Sequence, residues 1–350
     1  MSVTRRAMGV AAFTAAAAGG AVMGFLGERR ALHDIAPEVD PEWAELRRPI
    51  RGEARRVTAF DGTQLYAEVL GSGDGPYVVF GHGYGLSQQV WHYQRRDLQA
   101  DHRLVFFDQR GHAGSEPAAS GDWSTAALGR DLGAVIDACV PDGGPIVVVG
   151  HSMSGMALLS WIEQFPQEAE ERLVGAVFVD SAGGDVVAGG LFSTGFAALS
   201  VLEGKVLDIG QRLVRRGARV ADTVYGASTD LSYLLTRAIG MNPDASPAHV
   251  AFLEQMFLNC PSSVLAALGP ALSSVNLLDV APLVTCPALV LVGEKDRVTP
   301  PRQALILADA LPDSRMVVLP GVGHTSPIEA HEAVTEHLRA FLAGPVARAA

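Results

Sequence analysis

The stretch that decides the fold of this chain is Ile146-Val-Val-Val-Gly-His-Ser-Met-Ser-Gly155. The β-branched apolar residues at its start predict a buried strand, and the apolar residues that follow it predict a helix. Ser152 lies between the two, so the pattern predicts a strand, a sharp turn with serine at its apex, and a helix. The flanking strand and helix approach closely at such a turn, so small residues are needed two places before and after the serine. Gly150 and Ser154 meet this requirement, although glycine is commoner at the second place.

A serine at such an apex is a candidate nucleophile. Its hydroxyl needs a general base, and the base needs a carboxylate that orients it. In this arrangement the expected chain order is serine, acid, histidine. Asp296 follows an apolar strand pattern at residues 288–293. His324 lies in a glycine-rich loop after a further strand pattern at residues 314–319. We therefore expect Ser152, Asp296 and His324 to form a catalytic triad.

A second residue is an alternative for the acid. Residues 174–179 form another apolar strand pattern, and Asp180 follows directly. A carboxylate at the end of this neighbouring strand could orient His324 in place of Asp296. The sequence favours Asp296 and leaves Asp180 open.

An oxyanion hole is the third requirement of this chemistry. Backbone N–H groups must point at the carbonyl oxygen that gains charge when the serine attacks. One N–H is expected from Met153, the residue after the serine. The other is expected from Tyr84, in the loop Gly81-His-Gly-Tyr-Gly85 after an earlier strand pattern. We interpret His82 as a structural residue that braces this loop.

These features resemble the α/β-hydrolase superfamily, in its neighbourhood of serine esterases and lipases, cofactor-free haloperoxidases and C–C hydrolases. The resemblance rests on the motifs at residues 81–85, 108–115 and 150–155, together with Asp296 and His324. It implies an α/β-hydrolase fold: a mostly parallel eight-stranded sheet flanked by helices, with a helical cap inserted after strand 6. It also implies hydrolysis of a carboxylic ester through an acyl-enzyme. Epoxide hydrolases and haloalkane dehalogenases carry an aspartate at the turn, so the serine argues against both.

Other reactions use the same groups. A C–C bond hydrolase or a cofactor-free haloperoxidase or perhydrolase would need the same triad, and a lyase would keep it without an acyl-enzyme. A non-catalytic binding module is an alternative of a different class. A site that has lost its activity usually lacks a catalytic side chain, and here every one is present. The sequence therefore favours an enzyme.

The order of the patterns predicts the domain organisation. Strands alternate with helices over residues 54–182 and 284–345, which predicts a mostly parallel α/β core. Residues 183–283 have a helical pattern without a sustained strand and predict the cap. Apolar residues are dense in the cap and charges are few, which favours a small hydrophobic ester as substrate. Asp61-Gly62, between two strand patterns, predicts a hairpin at the start of the core.

The N-terminus indicates a different environment. Within residues 1–30, the pair Arg5-Arg6 precedes an uncharged segment rich in alanine and glycine, residues 7–27. As a helix this segment would be roughly 30 Å long, about the thickness of the hydrocarbon core of a bilayer. We expect an uncleaved membrane anchor or, as alternatives, a cleaved export signal or a cytoplasmic tail. Residues 31–53 are interpreted as a connector.

Composition limits the partners. The chain has 350 residues, of which 48% are hydrophobic and 19% charged, as is typical of a globular enzyme. Its formal net charge of −11 disfavours nucleic acid. The cysteines Cys139, Cys260 and Cys286 lack metal-type spacing, and no dinucleotide or phosphate-loop fingerprint occurs. The sequence predicts a small-molecule substrate and neither a cofactor nor a metal. It leaves the oligomeric state open.

Overall fold

An eight-stranded sheet lies at the centre of the computed structural model, which describes residues 40–184 and 236–346. The strands are β1 (Glu53–Thr58), β2 (Gln64–Leu70), β3 (Tyr77–Gly81), β4 (Arg103–Asp108), β5 (Ile146–His151), β6 (Leu173–Val179), β7 (Ala288–Gly293) and β8 (Ser314–Leu319). Their order across the sheet is β1-β2-β4-β3-β5-β6-β7-β8. Strand β2 is antiparallel to β1 and β4, and all other neighbours are parallel. The predicted mostly parallel α/β-hydrolase fold is confirmed.

Helices cover both faces of this sheet. They are α1 (Pro41–Leu46), α2 (His92–Leu98), α3 (Thr125–Cys139), α4 (Met153–Gln164), α5 (Pro166–Arg172), α6 (Pro247–Asn259), α7 (Ser262–Ser273), α8 (Pro301–Ala310), α9 (Ser326–Glu329) and α10 (His331–Phe341). Short 3-10 helices at Gln88–Trp91, Pro141–Gly143 and Leu278–Leu283 and a π-helix at Leu342–Val346 complete the described helices. The predicted hairpin is also confirmed, because Gly62 (φ +90°) turns the chain between the antiparallel β1 and β2.

Two apolar layers hold the helices against the sheet. Successive side chains of a strand point to opposite faces. Val79 of β3 accordingly packs in one cluster with Leu132 of α3 and Trp161 of α4. The neighbouring Phe80 packs in the other cluster, with helices α2 and α10. Because β3, β5 and β7 are buried on both faces, their sequences are continuous apolar runs.

The carboxyl ends of the parallel strands meet at one edge of the sheet. Loops that follow β3, β5, β6, β7 and β8 therefore converge there, although they are far apart in the chain. Ser152 follows β5, Asp296 follows β7, and His324 follows β8. The topology thus brings the predicted triad to a single place.

Helices occupy the described part of the segment between β6 and β7. Residues 185–235 of the predicted cap lie outside the described residues. The remainder contains α6 and α7, which is consistent with a helical cap. Helix α1 packs against α6, and Ser246 before α6 donates a hydrogen bond to Asp40 before α1. The cap therefore contacts a segment that the sequence assigns to the connector.

The N-terminal segment, residues 1–39, also lies outside the described residues, and its membrane anchor or export signal stays a prediction. Over residues 40–184 and 236–346, no single helix is long and apolar enough to cross a membrane. Helices α6 and α7 meet the length and composition criteria only as a pair, and the chain bends by 97° between them.

Candidate active site

The turn at Ser152 has the strained geometry that the sequence predicts. Strand β5 ends at the preceding residue, helix α4 begins at the next, and Ser152 itself has φ +51°. Positive φ is unusual for a residue other than glycine and marks a functional turn. A Cβ at Gly150 would lie 2.6 Å from the backbone nitrogen of Gly155, which is why only glycine fits there.

The three residues of the predicted triad lie in one hydrogen-bonded row. Nε2 of His324 is 3.0 Å from Oγ of Ser152, and its Nδ1 is 2.8 Å from Oδ2 of Asp296. With the proton on Nδ1, the imidazole donates to the carboxylate and its Nε2 can accept from the serine hydroxyl. All three residues are buried, and Ser152 is 4% exposed.

Asp296 is held by its own loop. Its Oδ1 accepts the backbone N–H groups of Val298 (2.7 Å) and Thr299 (2.9 Å), and Oδ2 accepts the Thr299 hydroxyl at 2.8 Å. Burial lowers the pKa of His324, but the Asp296 carboxylate outweighs burial and raises that pKa above its ordinary value. The carboxylate therefore fixes the ring and stabilises its protonated form.

Asp180, the alternative acid, contacts other groups. Its Oδ1 accepts the backbone N–H of Gly293 at 3.0 Å and its Oδ2 that of Ser326 at 2.9 Å. The nearest imidazole nitrogen is Nε2 of His151, 3.9 Å from Oδ2. Burial, and then the negative charge of Asp296, raise the pKa of Asp180. This carboxyl group joins the end of β7 to the start of α9, and within the described ranges it forms no hydrogen bond with the His324 ring.

Two buried histidines hold the predicted oxyanion loop. Nε2 of His82 accepts the backbone N–H of Gln109 (2.9 Å), so its Nδ1 donates to the carbonyl oxygen of Gly83 at 2.7 Å. Nε2 of His112 accepts the backbone N–H of Gly85 at 3.1 Å. Burial lowers the pKa of His82 to about 4 and that of His112 to about 3, so both are neutral. The interpretation of His82 as a brace agrees with these bonds.

The loop runs directly over the serine. A Cβ at Gly83 would lie 3.1 Å from Cβ of Ser152 and 2.7 Å from Nδ1 of His151. Met153 is the first residue of α4, and the first N–H groups of a helix have no intrahelical acceptor. The backbone at Tyr84 and the N–H of Met153 therefore lie at the same end of the sheet as the serine hydroxyl. The Tyr84 side chain donates to the carbonyl oxygen of Leu265, which joins this loop to α7.

Sequence reasoning missed several residues that position the site. Ser154 was expected only to be small, but its Oγ donates to the carbonyl oxygen of His82 (2.6 Å) and accepts from Nε2 of Gln109 (2.8 Å). Nε2 of His151 lies 2.8 Å from the carbonyl oxygen of His324. The motif around the serine identifies these positions, but it carries no signal for their partners.

Glu329 also supports the histidine and was not predicted. This carboxylate accepts the backbone N–H of Gly323 at 3.2 Å and that of Asn242, from the segment before α6, at 2.7 Å. It thus joins the loop of His324 to the described part of the cap.

A small apolar cavity lies above Ser152, with a volume of about 30 Å³. Its wall includes Leu86, Val298 and, from α6, Leu253 and Phe257. A space of this size holds about one water molecule. Helix α6 therefore covers the serine hydroxyl. Across the part of the chain that the structure describes, no cluster of three or more His, Cys, Asp or Glu residues has the geometry to hold a metal ion.

The sheet and the arrangement of its loops define an α/β hydrolase. Residues 78–337 match the model of the alpha/beta hydrolase family, and the chain belongs to this family. The uncharacterized protein Rv2715 of Mycobacterium tuberculosis is 26% identical over 290 residues, which cover 79% of this chain and 78% of that protein.

Solved structures share the fold. The esterase RhEst1 from Rhodococcus sp. ECU1013 superposes with a TM-score of 0.67 at 22% identity, covering 84% of this chain and 99% of that one. A bromoperoxidase from Bacillus anthracis superposes with a TM-score of 0.65 at 18% identity, covering 83% and 99%. One architecture thus carries different chemistries among these structures, and the reaction must be argued from the site.

Proposed function

We propose that this protein is a serine hydrolase that cleaves a small hydrophobic carboxylic ester through an acyl-enzyme. The observation that carries the proposal is the row of two hydrogen bonds from Ser152 through His324 to Asp296, at 3.0 and 2.8 Å. A serine next to a neutral imidazole, itself oriented by a carboxylate, is the arrangement that nucleophilic catalysis by a hydroxyl requires.

In the first half of the reaction, the hydroxyl of Ser152 attacks the carbonyl carbon of the ester. His324 takes the hydroxyl proton at Nε2, and Asp296 stabilises the imidazolium that forms. The N–H groups of Tyr84 and Met153 bind the negative oxygen of the tetrahedral intermediate. The intermediate collapses as His324 gives its proton to the leaving alcohol, and the acyl group stays on the serine.

In the second half, water replaces the alcohol. His324 removes a proton from a water molecule as the water oxygen attacks the acyl carbon. The same N–H groups bind the second oxyanion. His324 then returns the proton to Oγ of Ser152, and the carboxylic acid leaves. Protons balance over the cycle, and the imidazole ends in its starting state.

The apolar lining of the cavity supports a hydrophobic acyl or alcohol group. Leu86, Leu253, Phe257 and Val298 surround the space above Ser152. A cavity of about 30 Å³ is too small for an ester, so we expect its wall, which includes helix α6, to open when substrate binds.

The test is the variant Ser152→Ala. We expect it to lose hydrolysis of 4-nitrophenyl butyrate and covalent labelling by a fluorophosphonate, because both reactions need the serine oxygen. The control is Ser160→Ala, which removes another buried hydroxyl from α4 and should be labelled like the wild type. Labelling of Ser152→Ala at the wild-type rate would refute the nucleophile assignment.

The same variants separate the alternatives. Thioesters, lactones and C–C bonds of diketones are assayed beside the ester. The substrate class that the wild type cleaves and Ser152→Ala does not cleave identifies the reaction. A haloperoxidase is distinguished by peroxide-dependent halogenation. A binding module would show none of these activities in the wild type.

A further inference from the structure

A second and larger cavity lies away from Ser152. Its volume is about 410 Å³, and its wall is formed by the segment between α1 and β1, by β2, by α2 and by α6. Four arginines line it: Arg47, Arg48, Arg51 and Arg95. We call it the arginine cavity. The whole chain has a net charge of −11, so a concentration of positive charge in one cavity is unexpected.

Two of the exposed arginines, Arg47 and Arg48, are not neutralised by an ion pair among the described residues. Among the described residues, the guanidinium groups of Arg47 and Arg48 form no ion pair or side-chain hydrogen bond, although Arg96 and, more weakly, the charge of Arg48 lower the pKa of the Glu45 carboxyl. Arg47 lies over the ring of Trp43, 5.6 Å from its centre. Arg51 is 72% exposed, and its NH1 is 3.7 Å from a carboxylate oxygen of Glu68. These side chains remain available to a ligand.

The acidic groups that face the cavity are already bound. Glu68 accepts the Tyr66 hydroxyl at 2.8 Å and pairs with the guanidinium of Arg95. Asp108 accepts two backbone N–H groups, at 2.8 and 3.0 Å. Two carboxylates with these partners leave an excess of positive charge and of hydrogen-bond donors in the arginine cavity.

Two buried nitrogens in the wall form no hydrogen bond with the part of the chain that the structure describes. His92 is 6% exposed, and among the described residues its Nε2 forms no hydrogen bond; the nearest carboxylate oxygen, on Glu45, is 3.7 Å away. With the proton on Nε2, this nitrogen is a donor without an acceptor. Nε of Arg95 also forms no hydrogen bond within residues 40–184 and 236–346, although its other nitrogens donate to the carbonyl oxygen of Ile50 and to Gln88. A buried donor without an acceptor costs free energy, which a ligand with acceptor oxygens would recover.

We propose that the arginine cavity binds a small oxyanion, the carboxylate or phosphate group of a ligand. Its volume lies in the range of small-molecule sites. Guanidinium groups match planar and tetrahedral oxyanions through paired N–H donors. The ligand's oxygens accept from Arg47 and Arg48 at the mouth and from His92 inside.

The cavity is linked to the serine through α6. Phe252 lines the arginine cavity, whereas Leu253 and Phe257 cover Ser152. A cavity of about 110 Å³ lies between them and shares Phe252 with the first and Leu86 with the second. The oxyanion therefore has two possible sources: the charged end of the substrate itself, or a separate small anion.

The first arm of the experiment needs no catalysis and therefore does not depend on the proposed function. Binding of inorganic phosphate to the full chain at pH 7 is measured by calorimetry for the wild type and for Arg47→Gln/Arg48→Gln. The control, Arg302→Gln/Arg315→Gln, removes the same charge from exposed positions on α8 and β8. We expect about tenfold weaker binding in the first variant and no change in the control.

A third variant locates the ion. His92→Leu removes the inner donor and keeps an apolar contact with Phe252, and we expect weaker phosphate binding in a protein with wild-type circular dichroism. The proposal is overturned if the wild type binds no phosphate. It is equally overturned if all variants bind it alike, or if His92→Leu keeps full affinity, since the ion would then bind outside the cavity.

The second arm distinguishes the sources with a neutral ester, 4-nitrophenyl butyrate, and an anionic one, 4-nitrophenyl hemisuccinate. If the cavity holds the charged end of the substrate, phosphate competes with the hemisuccinate alone, and Arg47→Gln/Arg48→Gln raises the KM of that ester alone. If it holds a separate anion, phosphate and the variant affect both esters equally. Both results support the oxyanion site, and they assign its ligand.

Discussion

The ends of the neighbouring strands β6 and β7 each carry a buried aspartate, and the two are used differently. Asp180 follows β6 and accepts backbone N–H groups from two distant loops. Asp296 follows β7 and accepts from its own loop and from the imidazole of His324. An acidic residue at the end of a central strand is therefore not enough to identify an orienting acid. The hydrogen-bond partners of its two oxygens distinguish the roles.

The variant Asp296→Asn tests the first half of this comparison and should have the largest effect. The asparagine Oδ1 can still accept from Val298 and Thr299, so the loop should fold. Its amide would face Nδ1 of His324 and favour the wrong tautomer, which should lower kcat about 10⁴-fold. Steady-state kinetics on 4-nitrophenyl butyrate measures this effect. A loss of less than tenfold would remove Asp296 from the proposed triad.

The variant Asp180→Asn tests the second half. One amide nitrogen would meet a backbone N–H donor of Gly293 or Ser326, so a buried hydrogen bond is lost. We expect the free energy of unfolding to fall by about 1–3 kcal/mol, with a loss of kcat far below that of Asp296→Asn. Urea denaturation and kinetics measure the two quantities. The comparison fails if Asp180→Asn is as inactive as Asp296→Asn while its stability is unchanged.

The pH dependence of kcat/KM gives a further test of the role of Asp296, and its expected effect is the smallest of the three. His324 is active as a base only when neutral, and Asp296 raises its pKa. The acid limb of kcat/KM should therefore have its midpoint above about 6.5, the ordinary value for histidine. In Asp296→Asn the largest raising cause is lost while burial remains, so the midpoint should move to lower pH. An unchanged midpoint in the variant would mean that another group titrates.

Much of the fold could be predicted from local pattern. Apolar β-branched runs identify β3, β5 and β7 because these strands are buried on both faces. The positions of Ser152, Asp296 and His324 could be predicted as well, because each follows a recognisable strand pattern. Close approach of the backbone explains the glycine at 150, and the motif around the serine predicts it.

The rest depends on contacts between segments that are distant in the chain. The sequence favours Asp296 but leaves Asp180 open, because both follow apolar strands and only their partners differ. The arginine cavity joins residues 47–51 to α2 and α6, and the sequence assigns the first of these segments to a connector. The periodicity of apolar residues does not indicate which side chains from segments so far apart in the chain contact one another.

The hydroxyl of Ser154 has a consequence for how this chain can vary. It is the acceptor for the buried amide nitrogen of Gln109, whose own oxygen forms no hydrogen bond with the described residues. Glycine at position 154, although commoner in related motifs, would leave both the nitrogen and the oxygen of that amide without a hydrogen-bond partner among the described residues. We therefore expect positions 154 and 109 to covary in natural sequences, with glycine at 154 accompanied by a residue at 109 that needs no hydrogen-bond partner. A designed substitution should be tolerated only when both positions are changed together.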